Sequence, residues 1–378
     1  MRKQILIFMI ASMSVLSSLA CTSAIVSGRL TSNGRPLLWK NRDTNDMNNR
    51  VERIEAHDGC MEFVALFDAR DMRDTAAWLG FNTAGFAIMN TASYNINKDN
   101  VPEKDMDKEG VVMRRALEVC RTVDDFQHLL DTLPKPMGVE ANFGVIDAQG
   151  NGAYFETGNY SYIKYDLKDA ENGIIVRTNY SHSGRKGEGH GYIREKSAWY
   201  LLNSHIAAAD ITPAVFTEGL SRTFYHSKLG KDYTHSGQQW LIDQDFIPRR
   251  ISTASVVIEG VLPGEDASLT TMWIALGYPP CAPVRAVWTG EGGVPEELQG
   301  TTADNHSTLC DEVLKRKAEV FHEKRGNGKH YLDLSVLYNT EGTGYTQQLV
   351  KQNMETYRRG YEQLEQRRQA LARKKGKR

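Results

Sequence analysis

Cys21 is the residue in this chain best placed to become a nucleophile, because of what precedes it. Arg2 and Lys3 form a basic start, Ile5 to Leu16 an apolar run, and Ser18-Leu19-Ala20 a small-x-small cleavage site, the pattern of a removable export signal. A cut after Ala20 leaves Cys21 first, with a thiol and an α-amine on one carbon. A free thiol titrates near ~8.5 and an α-amine near ~7.7–8.0. The amine is therefore partly neutral around pH 7 and can take the thiol's proton. The thiolate is the attacking species, and a nucleophile beside a base is the arrangement of covalent catalysis. Two plainer readings stand beside this one: a lipoprotein acylated at Cys21, and an ordinary exported protein whose signal happens to end there. Ser18 at −3, where an apolar residue is usual, and the absence of a flexible tether after Cys21 argue against the lipid anchor. Acylation would also remove the amine's basicity.

The elements that must position Cys21 follow at once. Cys21 to Leu30 and Pro36 to Asp43 read as strands, separated by Thr31-Ser32-Asn33-Gly34-Arg35, whose Asn-Gly is a strong hairpin signal. A turn centred on Asn33-Gly34 sets position 24 opposite 43 and 27 opposite 40. The polar end of the second strand, Trp39-Lys40-Asn41-Arg42-Asp43, is thereby delivered beside Cys21. Strict alternation puts Lys40 and Asp43 on opposite faces, so both reach Cys21 only if the strand ends or bulges there.

Further hairpins are expected at 77–90, around Asn82 to Gly85, and at 142–157, around Ala148 to Gly152. Strands are expected at 173–179, 251–259, 269–276 and 284–288, and helices at 111–121, 122–133, 193–209, 213–221 and 305–324. Thr122 with Asp125 is capping-box-like, and Pro213 suits a first helical position. The stretch 224–245, rich in His, Tyr, Gly and Ser, reads as a surface loop. Its Tyr225, Tyr233 and Trp240 could line an apolar pocket or pack locally. Hairpins interleaved with paired helices point to antiparallel sheets covered by helices.

Composition sets the outer bounds. A hydrophobic fraction of 40% over 378 residues supports a sizeable core, and no apolar run beyond the signal approaches the ~18 residues of a membrane span. The net charge is −1, yet residues 348–378 carry ten Lys/Arg against three Glu. This tail reads as a solvated, fraying basic helix with Tyr357, Tyr361 and Leu364 at i, i+4, i+7, and attraction to an anionic surface is the sharper alternative. The parts are then a signal at 1–20, a catalytic domain at 21–345 and a basic tail at 346–378. Beyond Cys21 there remain Cys60, Cys120, Cys281 and Cys310, for which an oxidising compartment permits disulfides whose pairing spacing cannot give. No CxxC argues for a zinc site.

Four stretches, in order, resemble the linear amide hydrolases of the N-terminal nucleophile superfamily, the group of choloylglycine (bile salt) hydrolase, penicillin V acylase, the penicillin acyltransferases and acid-ceramidase-like enzymes. Cys21-Thr22 is similar to their opening Cys-Thr, and Lys40-Asn41-Arg42-Asp43 to their Arg-Asn-x-Asp. Gly85-Phe86-Ala87-Ile88-Met89-Asn90 resembles their Gly-Leu-x-x-x-x-Asn strand, and Thr178-Asn179 their Thr-Asn. The resemblance implies an α+β fold, a four-layer αββα sandwich with antiparallel sheets and the cysteine at the end of a central strand. By position it makes Cys21 the nucleophile and its amine the proton carrier. Asp43 accepts a hydrogen bond from that amine, and Asn179, with Asn90 beside it, donates to the oxyanion. Arg250, in Pro248-Arg249-Arg250-Ile251-Ser252-Thr253, resembles a later active-site arginine, with Arg249 an equal contender.

Lys40 stands where bile salt hydrolases and penicillin V acylases carry arginine. It keeps a charge that favours a thiolate but loses the planar fork, which weakens a bile salt hydrolase reading and favours the penicillin-acyltransferase-like branch. The implied activity is cleavage of a linear amide C–N bond in an N-acyl small molecule through a Cys21 thioester. No cofactor, metal or nucleic acid is implied, and the location is the periplasm or the exterior. Oligomeric state, including a homo-oligomer, stays open. A bile salt hydrolase proper, a related cysteine dipeptidase that also opens Cys-Thr, and a non-catalytic lipoprotein are the rivals.

Overall fold

The computed structural model describes residues 21–375, with side chains to 373. Segment 1–20, read above as an export signal, lies outside the described residues. Thirteen strands build two antiparallel sheets. In chain order they are β1 (Thr22–Val26), β2 (Leu37–Asp43), β3 (Asn49–Ile54), β4 (Phe63–Asp68), β5 (Leu79–Asn82), β6 (Ala87–Ala92), β7 (Ala141–Ile146), β8 (Gly152–Thr157), β9 (Tyr162–Asp166), β10 (Ile174–Arg177), β11 (Ser252–Glu259), β12 (Thr271–Leu276) and β13 (Val284–Val287). The six-stranded sheet runs β10-β1-β2-β11-β12-β13 and the seven-stranded sheet runs β3 to β9 in sequence order. Five helices cover them: α1 (Glu109–Val119), α2 (Val123–Thr132), α3 (Tyr192–Ala208), α4 (Thr308–Val320) and α5 (Tyr345–Lys375).

Strand β4 shows why the layers stack as they do. Phe63, Ala65 and Phe67 share a buried cluster with Met113 and Leu117 of α1 and Phe126 and Leu130 of α2. Val64 and Leu66, alternating with them, belong to the cluster shared with Ile25 and Leu38 of the other sheet. A strand apolar on both faces needs cover on both faces. Helices α3, α4 and α5 close the far side of the six-stranded sheet, where Trp39 of β2 stacks on Phe216 with centroids 4.9 Å apart. The result is an αββα sandwich of α+β class. Among the described residues no helix is long and apolar enough to cross a membrane.

Three expectations change. The first hairpin pairs Thr22 with Asn41 and Ala24 with Trp39, four positions from the register of a two-residue Asn33-Gly34 turn. The intervening chain is a longer loop: Gly28–Leu30 forms a 3-10 turn capped by Ser27, and the Thr31 hydroxyl donates to the carbonyls of Gly28 and Arg35. Strands β3, β4 and β9 form although no strand was expected there. The C-terminal helix is not solvated throughout. Leu349, Tyr357 and Leu364 are buried, Trp273 packs on Tyr357 and Tyr361, and fully buried Asn353 accepts from Val284 N–H and donates to Glu218.

Gly360 lets α5 lie that close, since a Cβ there would come 2.5 Å from Trp273 Cη2. Overpacking typically costs about 1–3 kcal/mol, against about 1 kcal/mol gained in helix propensity. Gly360→Ala is therefore expected to lower the urea midpoint. An unchanged or higher midpoint would show that the indole gives way.

Candidate active site

Cys21 lies one residue before β1 and is 6% exposed. Its thiol donates toward the Asp43 carbonyl at 3.8 Å, while Asp43 N–H points at Sγ from 3.5 Å. The end of β2 thus cradles the sulfur with backbone rather than with a carboxylate. Alternation holds, and Lys40 and Asp43 straddle the strand. Lys40 faces the second sheet, donating from Nζ to Asn90 Oδ1 at 2.8 Å and to Trp78 O at 3.0 Å. The Asp43 carboxylate turns the other way. A bulge sits at that point in the neighbouring strand, where Ser252 pairs with Asp43 but Ala254 with Arg42, leaving Thr253 extra.

The carboxylate of Asp43 is fully buried and already well supplied with donors. Oδ1 accepts from Asn41 Nδ2 at 2.9 Å and Ser252 Oγ at 2.6 Å, and Oδ2 from Arg249 Nε at 3.1 Å and Nη2 at 2.6 Å. About four acceptor positions is what a carboxylate has, so an amine on Cys21 would have to share one of these. The arginine at this site is Arg249. Arg250 is exposed, its backbone N–H bound to Asp243, in the turn that Ser252 N–H closes onto Arg249 O before the strand.

Asn179 is fully buried just past β10, its backbone exchanging two hydrogen bonds with His190. Its Nδ2 donates to Ala92 O at 2.9 Å, leaving the second amide proton. Its Oδ1 accepts from Arg194 Nη2 at 2.8 Å. Arg194, from the first turn of α3, went unrecognised in the sequence. It is 1% exposed, and its Nη1 donates to Cys21 O at 2.6 Å and Thr22 Oγ1 at 2.7 Å. Gly191 makes room: its φ is 97°, and a Cβ there would lie 2.5 Å from Arg194 Nη2. No local signal in Gly-Tyr-Ile-Arg-Glu-Lys separates this arginine from a solvated one.

Burial pulls Lys40 down to about 8 and Arg194 to about 9, with the neighbouring Cys21 and Asp43 opposing in both cases. The linked effect on stability has a definite sign. Between about 8 and 10.5 the unfolded chain holds a proton on Lys40 that the folded chain has released, so this group makes folding more favourable as pH rises through that window. Subtracting Lys40→Met from the parent in urea unfolding between pH 7 and 10 is expected to show that rise. A flat difference would mean that Lys40 titrates alike in both states.

Three of the remaining thiols, Cys120, Cys281 and Cys310, are poor nucleophiles by position. All five cysteines are free, and burial pushes Cys120 up to about 12 and Cys310 to about 11, with Cys281 raised further still. His57, Cys60 and Glu118 lie close enough to one another to hold an ion. Glu118, however, is paired with both Arg114 and Arg115, and Arg115 also donates to Cys60. The cluster already carries its compensating cations.

With this geometry in view, residues 30–207 match the profile of the family described as acyl-coenzyme A:6-aminopenicillanic acid acyl-transferase. No curated protein sequence matches the chain. Among solved structures it is similar to an N-acylethanolamine-hydrolyzing acid amidase ortholog from Caenorhabditis elegans, at 13% identity and TM-score 0.41, over 65% of this chain and 94% of that one. A mutant conjugated bile acid hydrolase from Clostridium perfringens gives 11% identity and TM-score 0.46, over 71% and 92%. Penicillin V acylase from Agrobacterium tumefaciens gives 11% and 0.42, over 72% and 86%.

Proposed function

We propose, from the premise that this chain belongs through residues 30–207 to the acyl-coenzyme A:6-aminopenicillanic acid acyl-transferase family, among the N-terminal nucleophile hydrolases of linear amides, that it is an exported cysteine amidase acting on an N-acyl small molecule. Removal of residues 1–20 frees the α-amine of Cys21, in the periplasm or outside the cell. The observation that carries this reading is Cys21 at the tip of a central strand, its sulfur against the Asp43 backbone and its own carbonyl bound by Arg194.

The chemistry runs in two halves. The amine takes the thiol proton, and the thiolate adds to the amide carbonyl. The resulting oxyanion is met by amide protons of Asn179 and Asn90. The ammonium then protonates the leaving amine, giving a thioester on Cys21. The amine next activates water, which releases the acid and restores the thiol. Were a second amine to replace that water, the same thioester would support acyl transfer. Oxyanion donors of this kind are worth about 2.7–4 kcal/mol each in the transition state. Asp43 keeps Arg249 and Ser252 in place around the strand end.

The test is a panel of taurine- and glycine-conjugated bile acids, penicillin V, N-acyl amino acids and dipeptides, offered to the exported protein and to Cys21→Ala. Turnover of an N-acyl amide by the parent alone supports the reading. Turnover of dipeptides only moves it to a cysteine dipeptidase, and an N-terminal mass carrying lipid on Cys21 ends it.

A further inference from the structure

Both asparagines assigned to the oxyanion have their amide oxygen held by a buried cation. Lys40 Nζ lies 2.8 Å from Asn90 Oδ1, and Arg194 Nη2 lies 2.8 Å from Asn179 Oδ1. The cations come from different elements, β2 and α3, and each residue is 1% exposed. Neither makes an ion pair with a carboxylate among the described residues. Their other acceptors are neutral: Trp78 O for Lys40, and Cys21 O and Thr22 Oγ1 for Arg194. Burying a charge without an opposite charge is costly, so two such cations behind two asparagines call for a functional explanation.

We propose that Lys40 and Arg194 are positioning residues that fix and polarise the side-chain amides of Asn90 and Asn179. This rests on the reading under Proposed function and assigns a purpose to two cations that make no carboxylate contact.

The argument is one of donor and acceptor inventory. Ammonium and guanidinium groups have protons to give and no lone pair to receive. An asparagine facing one of them must present its oxygen, so its nitrogen is committed to the opposite side. For Asn179 that side holds Ala92 O, which takes one proton at 2.9 Å, and the second is free to meet an oxyanion. The positive charge sits behind the amide along its dipole. In a water-poor site that alignment strengthens the N–H donors toward developing negative charge without any reorganisation during reaction.

Arg194 does one thing more. A single guanidinium holds the carbonyl of the nucleophilic residue and the oxygen of the oxyanion donor. The separation of Cys21 and Asn179 is therefore set by one rigid plane. Lysine cannot reproduce that fork. At Asn90, where only one side-chain contact is made, a point charge is sufficient, which accounts for a lysine at position 40.

Two double-mutant cycles test this, using any N-acyl amide the parent turns over. Asn179→Ala is expected to lower kcat by about 10²–10³, and Arg194→Met by up to about 10², with KM within about twofold. The pair Arg194→Met/Asn179→Ala should be no slower than Asn179→Ala alone, within about threefold, and Lys40→Met/Asn90→Ala should behave in the same way. Arg194→Lys should recover only part of the loss. Losses that multiply in the double variants overturn the proposal, even if parent turnover and Cys21→Ala inactivity uphold the amidase reading. A readout free of substrate accompanies the cycles, namely side-chain amide signals in protein labelled with ¹⁵N-asparagine. Arg194→Met is expected to move the Asn179 pair and leave Asn82 and Asn142 in place, which also shows that the variant is folded. An unmoved Asn179 pair in that variant refutes the positioning role whatever the protein hydrolyses.

Discussion

Cys21→Ala is expected to lower kcat on an N-acyl amide by on the order of 10⁶, the scale seen when a nucleophile that works as a unit with its base is removed. The fold should hardly notice. Among the described residues the sulfur's hydrogen bonds go to the Asp43 backbone, at 3.5 and 3.8 Å, and trimming one such atom costs about 1 kcal/mol or less. No other thiol can substitute, because Cys120, Cys281 and Cys310 are buried and held protonated, and Cys60 lies on a separate turn beside Arg115. Steady-state turnover beside a urea unfolding curve is the measurement. Appreciable activity in a folded Cys21→Ala variant would remove the thioester from the mechanism.

Asp43→Ala is expected to be the most damaging change to stability near the site, at about 3–5 kcal/mol, the range for breaking a buried pair from one side. The carboxylate is fully buried, and its loss would deprive Arg249, whose side chain is only 16% exposed, of its carboxylate. Asn41 and Ser252 would each lose an acceptor as well. Asp43→Asn keeps the shape and an acceptor oxygen, so it should cost less stability while still removing the charge. Urea midpoints at constant slope give the comparison. An Asp43→Ala variant within about 1 kcal/mol of the parent would show that the Arg249 pair behaves as a solvent-screened surface contact.

Legibility from sequence was uneven, for physical reasons. The hairpin carrying Cys21 and Asp43 was readable because the apolar runs Ala24-Ile25-Val26 and Leu37-Leu38-Trp39 flank an Asn-Gly. Its register was not, because Ser27 caps a 3-10 turn and Thr31 bonds across the loop, lengthening the connection. Asn49–Ile54 escaped notice since Arg50, Glu52 and Arg53 break up its apolar pattern, although Arg50 is buried against Asp74. The opposite faces for Lys40 and Asp43 followed from alternation alone; the bulge lies at Thr253 of the neighbouring strand, not in β2, where the sequence left one open. The choice between Arg249 and Arg250 needed the turn that Ser252 N–H closes onto Arg249 O. Arg194 needed tertiary structure altogether, because what makes it unusual is the neutral company its guanidinium keeps. In the last segment the spacing of Tyr357, Tyr361 and Leu364 was legible, but the basic count favoured a solvated helix, since charge totals ignore which side of a helix they sit on; Leu349, Tyr357 and Leu364 are buried.

The proton carrier is the element on which the mechanism turns, and one comparison addresses it. Protein beginning at Cys21 and protein bearing a single alanine ahead of Cys21 are assayed side by side on the same amide, with intact mass recorded for each. Placing the amine one residue away should reduce kcat at least about 10²-fold, the low end of what a positioned acid–base group contributes, while Cys21 stays in place. Equal turnover by the two would mean that the nitrogen of Cys21 carries no proton in this reaction.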